Sequence, residues 1–435
     1  MTQSRSATQG STSSQVPSAA RVRPPVPAIR RIHEQHLEEL AFLWGQRRLA
    51  LRSVDYSLRQ FLDLEERVAA HLDGLVVAGE SAGGMLEAAL EGGDGPTAFA
   101  AALALLHVRG AAAAGAVFDS FVAAEGERLA GLCGAMCHAP AAVGFQSVER
   151  LMAEAPGPLA AAAAEVLAFR APNALRRGRQ LDRLVRHEAP EVRTGAWRVA
   201  GLAGLVLQPA AYESAAGDDD RGVRRAAALA AALARAPGLM DRALRAAAKP
   251  VARDAELLEI AAMVAPAGTE HHLLAAARAV VPGLAGFRIL AALGHPQGVA
   301  VLLAGMDGAD SAATSAAGVA FAAITGKSVA SGVRAPVVPP DAPPDAFEKE
   351  FLDEVMLPDA VVARKWWARN EARFLGGSRW CRGVECSAVA APGREADMAA
   401  HWEAMVRGRF VGAAGADPVG YERFPRAGTG DEETR

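Results

Sequence analysis

The sequence predicts an all-α chain built as an array of stacked helix pairs. Three observations predict it: an apolar, alanine-rich composition with few aromatics, helix starts that recur every 31 or 32 residues, and Pro or Gly at most of the joints. Hydrophobic residues make up 51% of the 435 and aromatics only 5%, so a large core must be built from Ala, Leu and Val. Alanine favours helix because it loses no side-chain entropy there. Val, Ile, Thr and the aromatics are too sparse for a large sheet.

The recurrence is clearest in two segments, Pro190-Glu191-Val192-Arg193-Thr194-Gly195-Ala196 and Asp220-Arg221-Gly222-Val223-Arg224-Arg225-Ala226. Val192 and Val223 lie 31 residues apart, and each is followed by small or apolar residues on one helical face. Comparable helix starts fall near Pro96, Gly126, Pro158, Pro190, Arg221, Ala252, Gly283 and Ser311. Shorter helices are expected between them: Ala111–Val122, Val143–Ala153, Arg176–His187, Leu207–Ala215, Leu239–Ala248, Glu270–Val280 and Gly298–Gly305. One pair cannot bury its apolar face alone, but stacked pairs can. About seven pairs are expected between Ala111 and Gly326, in a right-handed or irregular superhelix.

The flanks read differently. Residues 1–28, rich in Ser, Thr, Gln, Pro and Arg, are expected to be a disordered tail. Residues 29–95 read as longer, more charged helices that cap the array, which spans 96–326. Residues 327–345 form a Pro-rich linker, with five prolines between Ala335 and Pro344. Residues 346–426 hold four of the six tryptophans (Trp366, Trp367, Trp380 and Trp402) and are expected to seal the C-terminal end. On a helix, Trp366 and Trp367 point about 100° apart. One should pack on Phe374, and the other on a second surface such as Trp380 or the last repeat. Residues 427–435 read as a second tail.

An acidic or polar turn, then Val-Arg, then small residues resembles the HEAT-repeat signature, carried here by Glu191-Val192-Arg193 and by Asp220 with Val223-Arg224. Over nearly the whole ordered chain the sequence also resembles one uncharacterised family of bacterial HEAT-like proteins. The segments that carry this are His36–Trp44 with Gln46-Arg47-Arg48, Leu64–Arg67 running into Ala70–Leu75, Ile324-Thr325-Gly326, Leu357-Pro358-Asp359, Trp366-Trp367, Phe374 and Gly377–Trp380. Members of that family are often encoded near type VI secretion genes. The resemblance therefore implies an accessory, adaptor or effector-handling role, and it supplies no catalytic residues.

A net charge of −3 gives no bulk attraction for nucleic acid. No segment is clean enough to span a membrane: Ala98 to Phe118 is broken by His107 and Arg109. The N-terminus lacks the apolar stretch of a signal peptide, so cytoplasm is expected. Cys133, Cys137, Cys381 and Cys386 are too few for a disulfide scaffold.

Several motifs bear on chemistry. Gly79-Glu80-Ser81-Ala82-Gly83 matches the nucleophile elbow of α/β-hydrolases, but no oxyanion loop precedes it and a helical array follows it. A helix end at Gly79, with Ser81 capping the next helix from Gly84, explains the residues without catalysis. Gly326-Lys327-Ser328 resembles the end of a phosphate-binding loop, but the required earlier glycine is Phe321. Cys133 and Cys137 share a helix face next to His138. Metal binding would need further ligands, which Cys381 and Cys386 could supply only by folding back across several repeats. His187-Glu188 and His271-His272 stand too isolated for a metal centre. No cofactor or metal is expected.

Arg170 to Arg198 holds eight arginines against three acids. Within it, Arg176, Arg177, Arg179, Arg183, Arg186 and Arg193, with Arg224 one repeat on, form a possible partner-binding basic strip. The competing reading is that such arginines bond neighbouring turns. The functional expectation is a non-catalytic protein-binding scaffold or adaptor. The alternative is a lyase-like or glycosylase-like enzyme on the same scaffold. A cleft with converging titratable residues would favour the enzyme, and an open groove the scaffold.

Overall fold

A computed structural model describes residues 27–145, 147–175, 181–266, 268–280, 283–338, 352–374, 378–386 and 392–425. The two expected tails lie almost wholly outside these residues, as do Arg176, Arg177, Arg179 and residues 339–345 of the expected Pro-rich linker. The described chain is predominantly helical. Three helices open it: α1 (Pro27–Ala50), α2 (Leu58–Ala78) and α3 (Glu80–Gly92). There follow α4 (Gly95–Arg109), α5 (Ala111–Val122), α6 (Gly126–His138), α7 (Val148–Glu154), α8 (Gly157–Arg170), α9 (Pro172–Leu175) and α10 (Leu181–Leu184). Next come α11 (Pro190–Ala203), α12 (Pro209–Ala216), α13 (Arg221–Leu233), α14 (Leu239–Ala248) and α15 (Ala255–Val264). The series ends with α16 (Glu270–Val280), α17 (Leu284–Leu293), α18 (Val299–Gly305) and α19 (Ser311–Thr325).

The helices sort into two layers. In one, α4, α6, α8, α11, α13, α15, α17 and α19 each pack on the next, making a continuous row. The shorter helices between them lie against that row. Row helices are alanine-rich and buried nearly all round; Ala98 to Leu106 of α4 is buried without a break. Small residues let the row close up. A Cβ on Gly131 would sit 2.1 Å from the Gly95 carbonyl oxygen, so α4 and α6 can touch only with glycine there. Asp94 and Asp220 accept backbone N–H bonds at the starts of α4 and α13. Gly204 and Gly326 end α11 and α19 at positive φ.

Beyond α19 the structure adds strands to the all-α expectation. β1 (Ala330–Pro336) and β2 (Glu354–Pro358) form an antiparallel pair against α19, with Pro358 filling the space over Gly318. After α20 (Ala360–Asn370), β3 (Trp380–Cys381) and β4 (Val384–Glu385) make a second, two-residue hairpin. The tryptophans also depart from expectation. Trp366 and Trp367 do not divide between two surfaces. Both meet Phe321 of α19 edge-on, and both meet Phe374, which in turn packs on Trp380 at 4.4 Å.

Residues 392–425 leave this end. α21 (Met398–Val411) lies on α13, α15 and α2, and α22 (Pro418–Glu422) lies on α11. Backbone bonds tie this arm to the start of α2: Leu58 N–H donates to the Ala396 carbonyl, and Met398 N–H to the Tyr56 carbonyl. The Tyr421 hydroxyl donates to the Leu51 carbonyl at 2.8 Å. The arm thus joins the middle helices of the row, α11, α13 and α15, to the first helices of the chain.

Candidate functional site

Where the arm reaches α1, a cavity of about 490 Å³ opens between α1, α6, α8, α11 and Glu422. Each wall follows from helical spacing. On α6, Cys133 and Cys137 are four residues apart and face the cavity together, beside Gly134. On α8, Ala161, Glu165 and Phe169 repeat the same spacing, and on α11 Gly195 and Arg198 continue it. The small residues leave the room that the cavity occupies.

Charge is concentrated at the cavity wall. Arg198 bridges two carboxylates, Glu165 of α8 and Glu422 of the arm. Arg52 donates to the second of these at 2.7 Å. Glu422 is buried, so two guanidinium groups hold a carboxylate largely withdrawn from water. Arg47, only 1% exposed, donates to Glu65 at 3.0 and 2.7 Å and to the backbone carbonyl of Glu422 at 3.2 Å. Trp44, Phe61 and Phe424 surround its guanidinium at 5.0 to 5.5 Å. Burial pulls the Arg47 pKa down against the attraction of Glu65, and burial pushes that of Glu65 up against Arg47.

His138 closes the floor. Its Nδ1 accepts the Phe424 backbone N–H at 3.2 Å, and its ring meets Trp44 and Phe169 edge-on. Only an unprotonated Nδ1 can accept that bond, so the ring is neutral with its proton on Nε2. Burial, followed by Arg47, Arg423, Arg198 and Arg170, holds the His138 pKa well below 6.5. The unfolded chain takes up this proton first, so stability is full above about pH 6.5 and falls as pH drops below it. The slope reaches about 1.4 kcal/mol per pH unit until the folded ring itself protonates. His138→Asn keeps an acceptor near Nδ1 but does not titrate. Its melting temperature should therefore fall less than the wild type's between about pH 7.5 and 5.5; parallel curves would show that His138 carries none of this dependence.

The basic strip divides within the described residues. Arg193 donates to both carboxylate oxygens of Asp218 at 2.8 Å and to the carbonyls of His187 and Glu188. Arg224 repeats the arrangement on the carbonyls of Asp218 and Asp219 and on Glu256. Both therefore bond neighbouring turns. Arg183 and Arg186 are exposed, and Arg183 also donates to the Met152 and Ala155 carbonyls. Ser81 lies within the first turn of α3, which starts at Glu80 and not Gly84. Its hydroxyl donates to the Ala78 carbonyl at 2.6 Å, and Gly79 takes the cap position. Lys327 follows the glycine that ends α19. Cys381 and Cys386 stay together by the second hairpin and do not reach Cys133 and Cys137, although the chain beyond them does fold back.

Sequence reasoning missed Glu165, Arg198, Arg47, Arg52 and Glu422. A signal existed for two of them. Glu165 lies one repeat length beyond Cys133, and Arg198 lies 33 residues beyond Glu165. These intervals are close to the 31 or 32 residues expected between helix starts, and the three residues sit on α6, α8 and α11, which pack in succession. Among the described residues, no helix is long and apolar enough to cross a membrane. Compared with known proteins, the chain matches no protein-family model, and no curated protein matches it.

Proposed function

We propose that the chain is a non-catalytic scaffold, an α-solenoid of HEAT-like helix pairs with helical and Trp-rich caps, whose row of helices binds polypeptide. The observation that carries this reading is the arm. A stretch from Met398 to Phe424 lies along the row, with its carboxylate Glu422 clasped by Arg52 and Arg198 and its ring Phe424 beside Trp44. A surface that holds one such segment has the features to hold another: guanidinium groups for an acidic residue, an aromatic pocket beside them, and backbone acceptors along the helix ends. The partner is then another protein. A net charge of −3 argues against nucleic acid. The exposed Arg183 and Arg186 are a second place where an acidic partner could settle. The resemblance to the bacterial HEAT-like family adds the expectation of a cytoplasmic adaptor accessory to type VI secretion.

A second reading, an enzyme on the same scaffold, has one observation in its favour: titratable groups do converge on a cavity of about 490 Å³. The scaffold is the better supported, because the buried charges of the cavity are engaged with groups of the protein itself. Arg198, Arg52 and Arg47 each hold a carboxylate or carbonyl of the protein itself. The experiment is to remove the arm and ask whether the row takes up a matching peptide in trans.

A further inference from the structure

Beyond the polypeptide-binding role, we propose that Cys133, Cys137 and Glu165 form a binding site for a thiolate-seeking divalent cation of the zinc class. The ligand atoms of the three residues all lie within 4.8 Å of one another. Around a tetrahedral zinc, with bonds of about 2.3 Å to sulfur and about 2.0–2.2 Å to oxygen, ligand atoms stand roughly 3.3–3.8 Å apart. The difference is about 1 Å, a distance that side-chain rotation covers.

The placement has further features of a metal site. The two thiols are fixed by one helix at i and i+4, a spacing that puts both on one side of a cation. The carboxylate comes from the next helix of the row, so the ligands rest on two rigid elements. Arg198 holds Glu165 from behind and fixes its orientation, as outer partners of metal-bound carboxylates do. All three residues line the cavity, which gives a cation a path from solvent and room for a fourth ligand; the bond that the Cys133 thiol donates to the Ala162 carbonyl at 3.4 Å is given up when the thiol loses its proton to the metal.

Charge balance permits the binding. Each thiol gives up a proton as it binds, so a divalent cation replaces two protons and the site's net charge stays unchanged. The Glu165–Arg198 pair stays neutral throughout. The other cysteine pair offers a contrast. Cys381 and Cys386 have no third ligand-bearing side chain within 4.8 Å among the described residues. Among the described residues, the cluster at Glu165 is the one group of three such donors found within this distance.

The test uses the full chain, reduced and stripped of metal, titrated with Co²⁺ and then with Zn²⁺. The expected result is one equivalent of Co²⁺ with a thiolate-to-cobalt charge-transfer band, which Zn²⁺ abolishes by displacement. Cys133→Ser and Glu165→Gln should each weaken binding at least about tenfold, the range in which lost metal-site groups act. Cys381→Ser/Cys386→Ser should leave the band in place. Where a variant melts early, the wild type supplies a second readout: Zn²⁺ should protect Cys133 and Cys137 from alkylation, read by mass spectrometry. No charge-transfer band from a protein whose four thiols titrate as free would overturn the proposal. So would a band that survives Cys133→Ser and vanishes with the Cys381 and Cys386 pair, or alkylation of Cys133 and Cys137 that Zn²⁺ does not slow.

Discussion

Arg47→Met should destabilise the protein by about 3–5 kcal/mol, the usual cost of removing one partner of a buried ion pair. Both members are withdrawn from water: the Arg47 side chain is 1% exposed and that of Glu65 9%. The lone substitution strands the Glu65 carboxylate, which is 9% exposed and has no second ion-pair partner among the described residues. It also removes the two bonds to the Glu422 carbonyl. Arg47→Met with Glu65→Leu should recover most of the loss, because apolar residues of similar volume commonly replace a buried pair at little cost. A residual deficit of about 1–2 kcal/mol should remain, since the Glu422 carbonyl still lacks its donor. Urea unfolding of the two variants beside wild type measures both numbers. A single variant that costs under about 1 kcal/mol would mean the pair behaves as a surface salt bridge.

Glu422→Ala should free the arm without unfolding the row. The substitution removes the anion that joins Arg52 and Arg198. Hydrogen bonds to charged groups contribute about 1.5–3 kcal/mol each when buried. Here the two arginine side chains are 45% and 34% exposed, and Arg198 keeps Glu165, so the net cost is nearer about 2 kcal/mol in all. That loss falls on one short segment. Trypsin should then cut at Arg394, Arg407, Arg409 or Arg423 well before it cuts the row, while the circular dichroism spectrum keeps its helical form. Equal cleavage rates in variant and wild type would show that α21 and the backbone bonds at Leu58 hold the arm alone.

How far the fold is legible from the sequence depends on the range of each interaction. Helix starts depend on local chemistry, and Pro, Gly and Asp at the joints place those of α4, α6, α8, α11 and α13 within one residue. The faces of those helices are harder to read. Ala98 to Leu106 is buried all round, so its apolar pattern does not say which side meets the neighbouring helix. The strands at Ala330 and Glu354 pair across a Pro-rich stretch and carry no strict alternation, which hides them. In the site, Cys133, Glu165 and Arg198 are spaced by 32 and 33 residues, close to the interval between helix starts that the sequence shows. Arg47 and Glu65 meet across an antiparallel helix hairpin whose register depends on the turn between them. Glu422 meets Arg198 from 224 residues away, because the arm returns over the row, and no local pattern encodes that return.

The proposed polypeptide-binding role rests on the groups that hold the arm: Trp44 of α1, Arg52 just beyond its end, and Arg198 on the row. The direct measurement is fluorescence anisotropy of a labelled peptide spanning residues 413–425, titrated with a chain that ends at Gly412. The full-length Glu422→Ala/Phe424→Ala variant serves as a second, intact receptor. Saturable binding to both is expected, competed by unlabelled peptide. Binding should be reduced at least about tenfold, or about 1.4 kcal/mol, by Arg198→Ala in the receptor or by replacing the peptide's glutamate with alanine. The contradicting result is a receptor that keeps its helical spectrum and its melt but gives no saturable binding, or binding that ignores both substitutions.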